Sequence, residues 1–273
     1  MAPSVDKTGG VRLTARDQWE VPVRVRDGML AVLALSAAAS ASAFTADELI
    51  AKNLAARGGL DRIRAIQSLR TSGQVRLGGG GFSLDLASTR LVKRPAMWRQ
   101  EVSWQGLTAV TAYDGAVGWQ VQPFQGRLDP EKMAADDLKP LRLSADLDGP
   151  LVDYRAKGYT VEYEGTEDVD GTDAHKLKVG LGGGDVRYVY LDPDHFLEIR
   201  VLDQLRVRGA EGEQETDLGD YEQVNGVWMP FSIESGAKGG PKGQKFTVTG
   251  IEANPTLDDA LFHFPAAAGP AGR

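Results

Sequence analysis

From Leu69 almost to the end of the chain, apolar residues recur at every second position. That is the period of a half-buried β-strand and not of a helix. Val75 and Leu77 alternate with Gln74 and Arg76, and Phe82, Leu84 and Leu86 alternate with Ser83 and Asp85. Trp98, Val102 and Trp104 share a face opposite Arg99 and Glu101. The pattern continues through 107–113, Trp119 and Val121, and resumes at Tyr159, Val161 and Tyr163, at Leu177 and Val179, and at Val186, Tyr188 and Tyr190. It closes with Leu197 to Val201, Val227 to Ile233 and Phe246 to Ile251. Turn formers stand between the runs: Gly78–Gly81, Gln105-Gly106, Asp114-Gly115, Asp170-Gly171, Gly182–Gly184 and Asn225-Gly226. Consecutive hairpins with one apolar face each predict a curved antiparallel sheet of ten or eleven strands, a mainly β fold of barrel or sandwich type.

Helical signals are few. Thr45-Ala-Asp-Glu48 is a capping box opening a helix through Leu49, Ile50 and Leu54 to Gly58-Gly59, and a second short helix is expected from Leu60 to about Gln67. Asp129-Pro130-Glu131 reads as N-cap, first-turn proline and acid, predicting a third helix towards Leu138. Segment 141–157 reads as a loop or lid, 207–218 as a polar stretch, and 257–262 as a short helix. Amphipathic helices beside a curved sheet are placed to cover its mouth.

The most apolar stretch, Met29 to Leu35, is too short to cross a bilayer. Arg24 and Arg26 precede it, and Ala41-Ser42-Ala43 ends it with small residues. That order describes a secretory signal peptide cleaved after Ala43, with residues 1–22 as an upstream extension. Residues 44–265 then form a single domain followed by a disordered tail, 266–273, and the expected compartment is the periplasm.

Several chemistries are excluded by what the chain contains. With no cysteine there are no disulfides, thiol nucleophiles or Cys-ligated metals. A net charge of −7 argues against nucleic-acid binding. His175, His195 and His263 are isolated, and Asp168 to Asp173 lacks the spacing of a calcium loop, so it reads as a hairpin turn. Neither glycine cluster precedes a helix as a phosphate loop must, and there is no G-x-S-x-G elbow. No residue is nominated for catalysis, metal or cofactor. What stands out is Lys93-Arg94-Pro95 at a strand end, followed by Trp98, Trp104 and Trp119 in adjacent strands. Two readings fit these aromatics: plain core, or the lining of an acyl-chain pocket with Arg94 at its rim facing a polar head or a backbone carbonyl.

One ordered set of residues carries a resemblance. It comprises Leu91-Val-Lys-Arg-Pro95 with Trp98-Arg99, Tyr113-Asp-Gly115 with Trp119 and Pro123-Phe124, Asp220-Tyr221 to Asn225-Gly226-Val227 and Pro230, and Asp258-Asp-Ala-Leu-Phe262. Together these resemble the LolA-like superfamily of outer-membrane lipoprotein-sorting proteins over about residues 45–264. The resemblance implies an incomplete antiparallel β-barrel with helices as a lid over a hydrophobic cavity. It implies a carrier of lipid or lipoprotein acyl chains, passing cargo from an inner-membrane transporter to an outer-membrane receptor, monomeric and without cofactor. Arg94 matches the family's K-R-P arginine, which matters for handing cargo on. The residues expected to meet ligand are Arg94, Trp98, Val102, Trp104, Val110, Trp119, Phe82 and Leu84. The alternative within the family is a periplasmic sensor that binds a membrane signalling partner.

Overall fold

Thirteen strands hydrogen-bond into one antiparallel sheet in the computed structural model, which describes residues 44–79 and 81–265. The expected signal peptide and the 266–273 tail lie outside these residues. The chain enters near the middle of the sheet. It runs outward through β1 (Ser68–Gly79), β2 (Phe82–Lys93), β3 (Met97–Trp104), β4 (Leu107–Tyr113), β5 (Gly118–Gln122) and β6 (Arg127–Lys132) to one edge. It then crosses to the other edge and returns through β7 (Thr160–Val169), β8 (Thr172–Gly182), β9 (Asp185–Leu191), β10 (Glu198–Val207), β11 (Ala210–Val224), β12 (Val227–Ala237) and β13 (Gln244–Ala253). β13 lies beside β1, and β6 and β7 are the two free edges, so the sheet is not closed.

Cross-strand partners project to the same side of a sheet, so the register tells which residues share a face. Leu177 pairs with Val189, Val189 with Val201, and Val201 with Thr216. Leu218 pairs with Ile233, Ile233 with Phe246, Phe246 with Val75, and Val75 with Leu86. Ser88 pairs with Val102, and Val102 with Ala109. This single inner face carries the helices. The capping box opens α1 (Ala46–Ala56), with Glu48 N–H donating to Thr45 Oγ1 at 3.2 Å and Thr45 N–H to Glu48 Oε2 at 2.8 Å. α1 buries Leu49 and Ile50 against Leu177, Val179, Val189 and Leu191. α2 (Leu60–Ala65) packs Ile63 with Ile66, Val152 and Val227. α3 (Lys139–Ala145) seats Leu141 and Ala145 over Val92, Trp98 and Tyr113. On the outer face the C-terminal segment lies over β2 and β3, with Leu257 and Phe262 against Leu91 and Met97.

Two segments differ from the sequence expectation, and each has a physical reason. Asp129 to Lys132 is not helical but is the end of β6. Pro130 is tolerated there because β6 is an edge strand with only β5 beside it, so a missing amide donor leaves no partner stranded. The helix begins further on, as a 3₁₀ turn at Ala135–Leu138 leading into α3, with Pro140 in its first turn. The polar stretch 207–218 belongs mostly to β11, whose exposed acids hide the alternation. β6 and β11 account for the strands beyond those expected.

A β-bulge separates Ser72 and Gly73 where β1 meets β13. A Cβ at Gly73 would fall 2.2 Å from the Thr247 carbonyl oxygen and 2.7 Å from the Phe246 ring. Gly73→Ala should therefore destabilise the fold by about 2 kcal/mol through overpacking. The check is a lower urea midpoint with an unchanged m-value.

Candidate functional site

The segment linking β6 to β7 crosses the inner face, and it is held there at Asp148. Arg94, just past the end of β2, places its guanidinium against that carboxylate, with Nη1–Oδ2 and Nη2–Oδ1 both 2.5 Å. The same guanidinium donates through Nε to the Ile66 carbonyl at 2.8 Å and through Nη2 to the Ile63 carbonyl at 3.3 Å. Arg57, at the C-cap of α1, donates to the Asp148 backbone carbonyl at 2.9 Å. One ion pair thus ties β2, α2 and the crossing segment together. Asp148 hydrogen-bonding raises the Arg94 pKa still further. Burial alone would push the Asp148 carboxyl up, but the Arg94 guanidinium beside it holds it below the usual carboxylate range. Lys93 points the other way and donates to the Leu257 carbonyl at 2.8 Å, fastening the C-terminal segment to the outer face.

The inner face is uncovered at the end formed by the β1–β2 and β3–β4 hairpins. There Leu77, Phe82, Trp104, Leu107 and Phe124 are exposed, Phe82 by 65%. Leu77 and Phe124 border a groove of about 240 Å³ lined by Val75, Leu86, Val102 and Ala109 and by Gln100, Thr111, Gln122 and Gln244. A second hollow of about 230 Å³ lies further along the same face, among Leu69, Val92, Met229, Ile233 and Val248. Arg57, Arg90, Asp146, Glu198 and Tyr221 also line it. The phenol of Tyr221 donates to the Glu198 carbonyl at 2.7 Å, and burial keeps it protonated. Between the two hollows stands a packed layer of Val75, Leu86, Phe246 and Val248.

The residues singled out in the sequence separate into three groups. Phe82, Leu84, Val102 and Trp104 lie together on the inner face by register, at or near the uncovered end. Trp98 lies on the same face but is sealed beneath α3, and its indole Nε1 has no hydrogen-bond partner. Val110 and Trp119 are on the opposite face: Val110 pairs with Glu101, across from the side that carries Val102. Trp119 donates to the Phe262 carbonyl at 2.8 Å beneath the C-terminal segment, with Arg99 over its ring. Arg94 is not free at a rim but is engaged as described. For Val110 and Trp119 the reason is register: β3 and β4 put Trp98 and Tyr113 opposite each other, so even positions of β3 face odd positions of β4, and Trp119 pairs with the outward Ala112.

Three contributors escaped the sequence reading. Asp148 had only its Asp-Gly-Pro turn to advertise it. Arg90 could have been found by extending the alternation of β2, since it occupies the inward position between Ser88 and Val92. Arg57 carries no sequence signal beyond its place at the end of α1. His175 is a packing residue, stacked on Phe196 and 3.0 Å from the Tyr163 hydroxyl. Among the described residues no group of three His, Cys, Asp or Glu is placed to hold a metal, and no helix is long and apolar enough to cross a membrane.

No family model matches this sequence, and no curated protein matches it. Solved structures do match. A LolA superfamily protein from Nitrosomonas europaea aligns over 81% of this chain and 98% of its own, at 13% identity and a TM-score of 0.56. A DUF1329 family protein from Desulfovibrio piger covers 80% and 97%, at 12% identity and a TM-score of 0.55. A putative outer membrane lipoprotein-sorting protein domain from Vibrio parahaemolyticus covers 78% and 94%, at 12% and 0.52. At these identities the likeness is one of fold, and the fold is LolA-like: an open antiparallel barrel with a helical lid.

The folded-state pKa of Asp148 is depressed, so the stability it contributes is full above its unfolded value of about 4 and is lost only as pH falls through the lower folded value. The clasp therefore holds across the neutral range. Asp148→Asn should lower stability by about 2 kcal/mol, or about 5 °C in Tm. It should also speed amide exchange in 146–158 more than in β8 or β9, which exchange mass spectrometry would read directly.

Proposed function

We propose that the protein is a periplasmic carrier of the lipoprotein-sorting type, which holds an acyl chain of a lipid or lipoprotein on the inner face of its sheet without covalent chemistry. The observation that carries this reading is the uncovered apolar end. Five large hydrophobic side chains stand exposed at this end of the inner face, and two of them, Leu77 and Phe124, border a groove there. Exposed apolar groupings of this kind mark places where something apolar docks. The LolA-like fold, shared with a solved lipoprotein-sorting domain, agrees with that use.

Magnitudes set how such a carrier would work. Each hollow is smaller than the roughly 300 Å³ at which ordinary ligand pockets begin. A chain of ten buried methylenes contributes about 8 kcal/mol at about 0.8 per methylene. Holding a whole chain therefore needs more of this face than the two hollows offer, and in this reading loading displaces the crossing segment and α3 from it. The Arg94–Asp148 clasp is the element that resists this displacement, at a cost small enough for the incoming chain to offset. Arg94 in this reading controls loading and release by holding the lid rather than by touching cargo.

The test is mass spectrometry of the organic extract of protein purified from the periplasm. Val102→Glu, placing a charge in the groove, and Trp104→Glu, placing one on the exposed apolar end of the same face, should each reduce co-purifying acyl species at least tenfold. Thr108→Glu, exposed on the outer face of the same hairpin, should leave them at the wild-type level. Cargo retained undiminished by both inner-face variants would overturn the proposal.

A further inference from the structure

Arg90 sits on the inner face in the middle of β2, paired in register with Thr71 and Gln100. It lines the 230 Å³ hollow with aliphatic side chains around it. Its Nε is sealed from solvent without a hydrogen-bond partner, and among the described residues none of its nitrogens donates to a protein acceptor within hydrogen-bonding distance. Its one identified contact is with an aromatic face, the Phe246 ring 5.2 Å from Cζ. Arg90 is half-buried, so it is Nε that is desolvated, and the ring contact offsets only part of that cost.

The rest of the inner face treats its arginines differently. Arg187, also inward, is held by Asp203 at 2.6 and 2.8 Å. Arg94 is held by Asp148. The acids that line the hollow with Arg90 do not serve it: Asp146 is taken by Lys157 at 2.6 and 2.8 Å, and the Glu198 carboxylate is not within ion-pairing distance of Arg90. Arg57, the other cation at this hollow, gives its bond to a backbone carbonyl and likewise makes no ion pair among the described residues. Two arginines without a carboxylate partner among the described residues thus border a hollow whose remaining wall is mostly apolar, with Thr71, Ser144, Asp146, Glu198 and Tyr221 as its polar part.

We infer that this hollow is a head-group site, and that the ligand it takes is a single aliphatic chain ending in an oxyanion, carboxylate or phosphate, which pairs with Arg90. The inference rests on the acyl-chain reading above and narrows it. A guanidinium fork presents parallel donors to an oxyanion, and in an apolar hollow that pairing is stronger than at a surface. A neutral acyl ester offers a carbonyl acceptor but no charge, so it would leave the guanidinium charge of Arg90 uncompensated.

Delipidated full-length protein, titrated calorimetrically with decanoate, decyl phosphate and decanol, tests this. Wild type should bind at least one of the two anions ten or more times more tightly than decanol, and which anion wins distinguishes a carboxylate from a phosphate head. Arg90→Met should lose that preference while keeping decanol affinity, and Arg90→Lys should retain part of it. Its melting temperature should not fall, since the variant removes an unpaired charge. Equal binding of all three ligands by wild type would overturn the head-group site and leave the acyl-chain reading standing. So would an Arg90→Met protein that melts lower yet keeps the full preference, because Arg90 would then serve only the packing of Phe246. Failure of decanol and both anions to bind wild type would sink the two readings together. The wild-type comparison alone decides the matter if Arg90→Met does not fold.

Discussion

The pairing of β1 with β13 governs the molecule. It joins the first and last strands in the middle of the sheet, so the two free edges, β6 and β7, are neighbours in the chain. The link between them crosses the inner face, and that face, apolar along most strands, needs a cover. The cover available is short. α1, α2 and α3 have eleven, six and seven residues. At about 1.5 Å per residue even the longest reaches only ~16 Å, whereas β1 and β2, twelve residues each, run to ~40 Å. Three short helices at one end of long strands leave the other end bare, and the hollows follow from that mismatch of lengths.

The same topology explains the position of the Lys93-Arg94 pair. At the end of β2 successive side chains point to opposite faces, and each meets a segment that lacks regular structure of its own. Lys93 fastens the C-terminal segment outside, and Arg94 fastens the crossing segment inside. Exposed pairs elsewhere, such as Arg155 with Asp47 and Arg64 with Asp153, lie in water and contribute little. Arg94 and Asp148 differ because both are mostly buried and because two further donors of the guanidinium are met by the Ile63 and Ile66 carbonyls. A pair so satisfied is costly to break, yet it involves one residue on each side and can be exchanged for water in a single movement.

Legibility in the sequence tracked how local each signal was. The capping box of α1, the Asp170-Gly171 turn and the strand 107–113 depend on neighbours in the chain, and their residues announce them. The helix expected at Asp129 failed because a proline beside acids is equally at home on an edge strand, and which strand is an edge is a property of the whole sheet. Trp98 and Trp119 look equivalent in sequence, both aromatic and both in alternating runs. Only the register between strands sends one beneath α3 and the other beneath the C-terminal segment. The candidate site was legible where it follows alternation within one strand, as at Phe82, Leu84, Val102 and Trp104. It was illegible at Asp148, whose partner is 54 residues away.

Arg90 joins these two scales. Local alternation puts it inside, and the topology surrounds it with a hollow that the short helices do not fill. In a solid core a guanidinium at that position would be strongly destabilising, and an aliphatic residue of similar volume would serve the packing better. In a water-accessible hollow the same side chain is tolerable when the face is empty and favourable when an anion enters. The physical condition for keeping Arg90 is thus the one that keeps the hollow open, and the unpaired charge and the missing cover are two expressions of a single design.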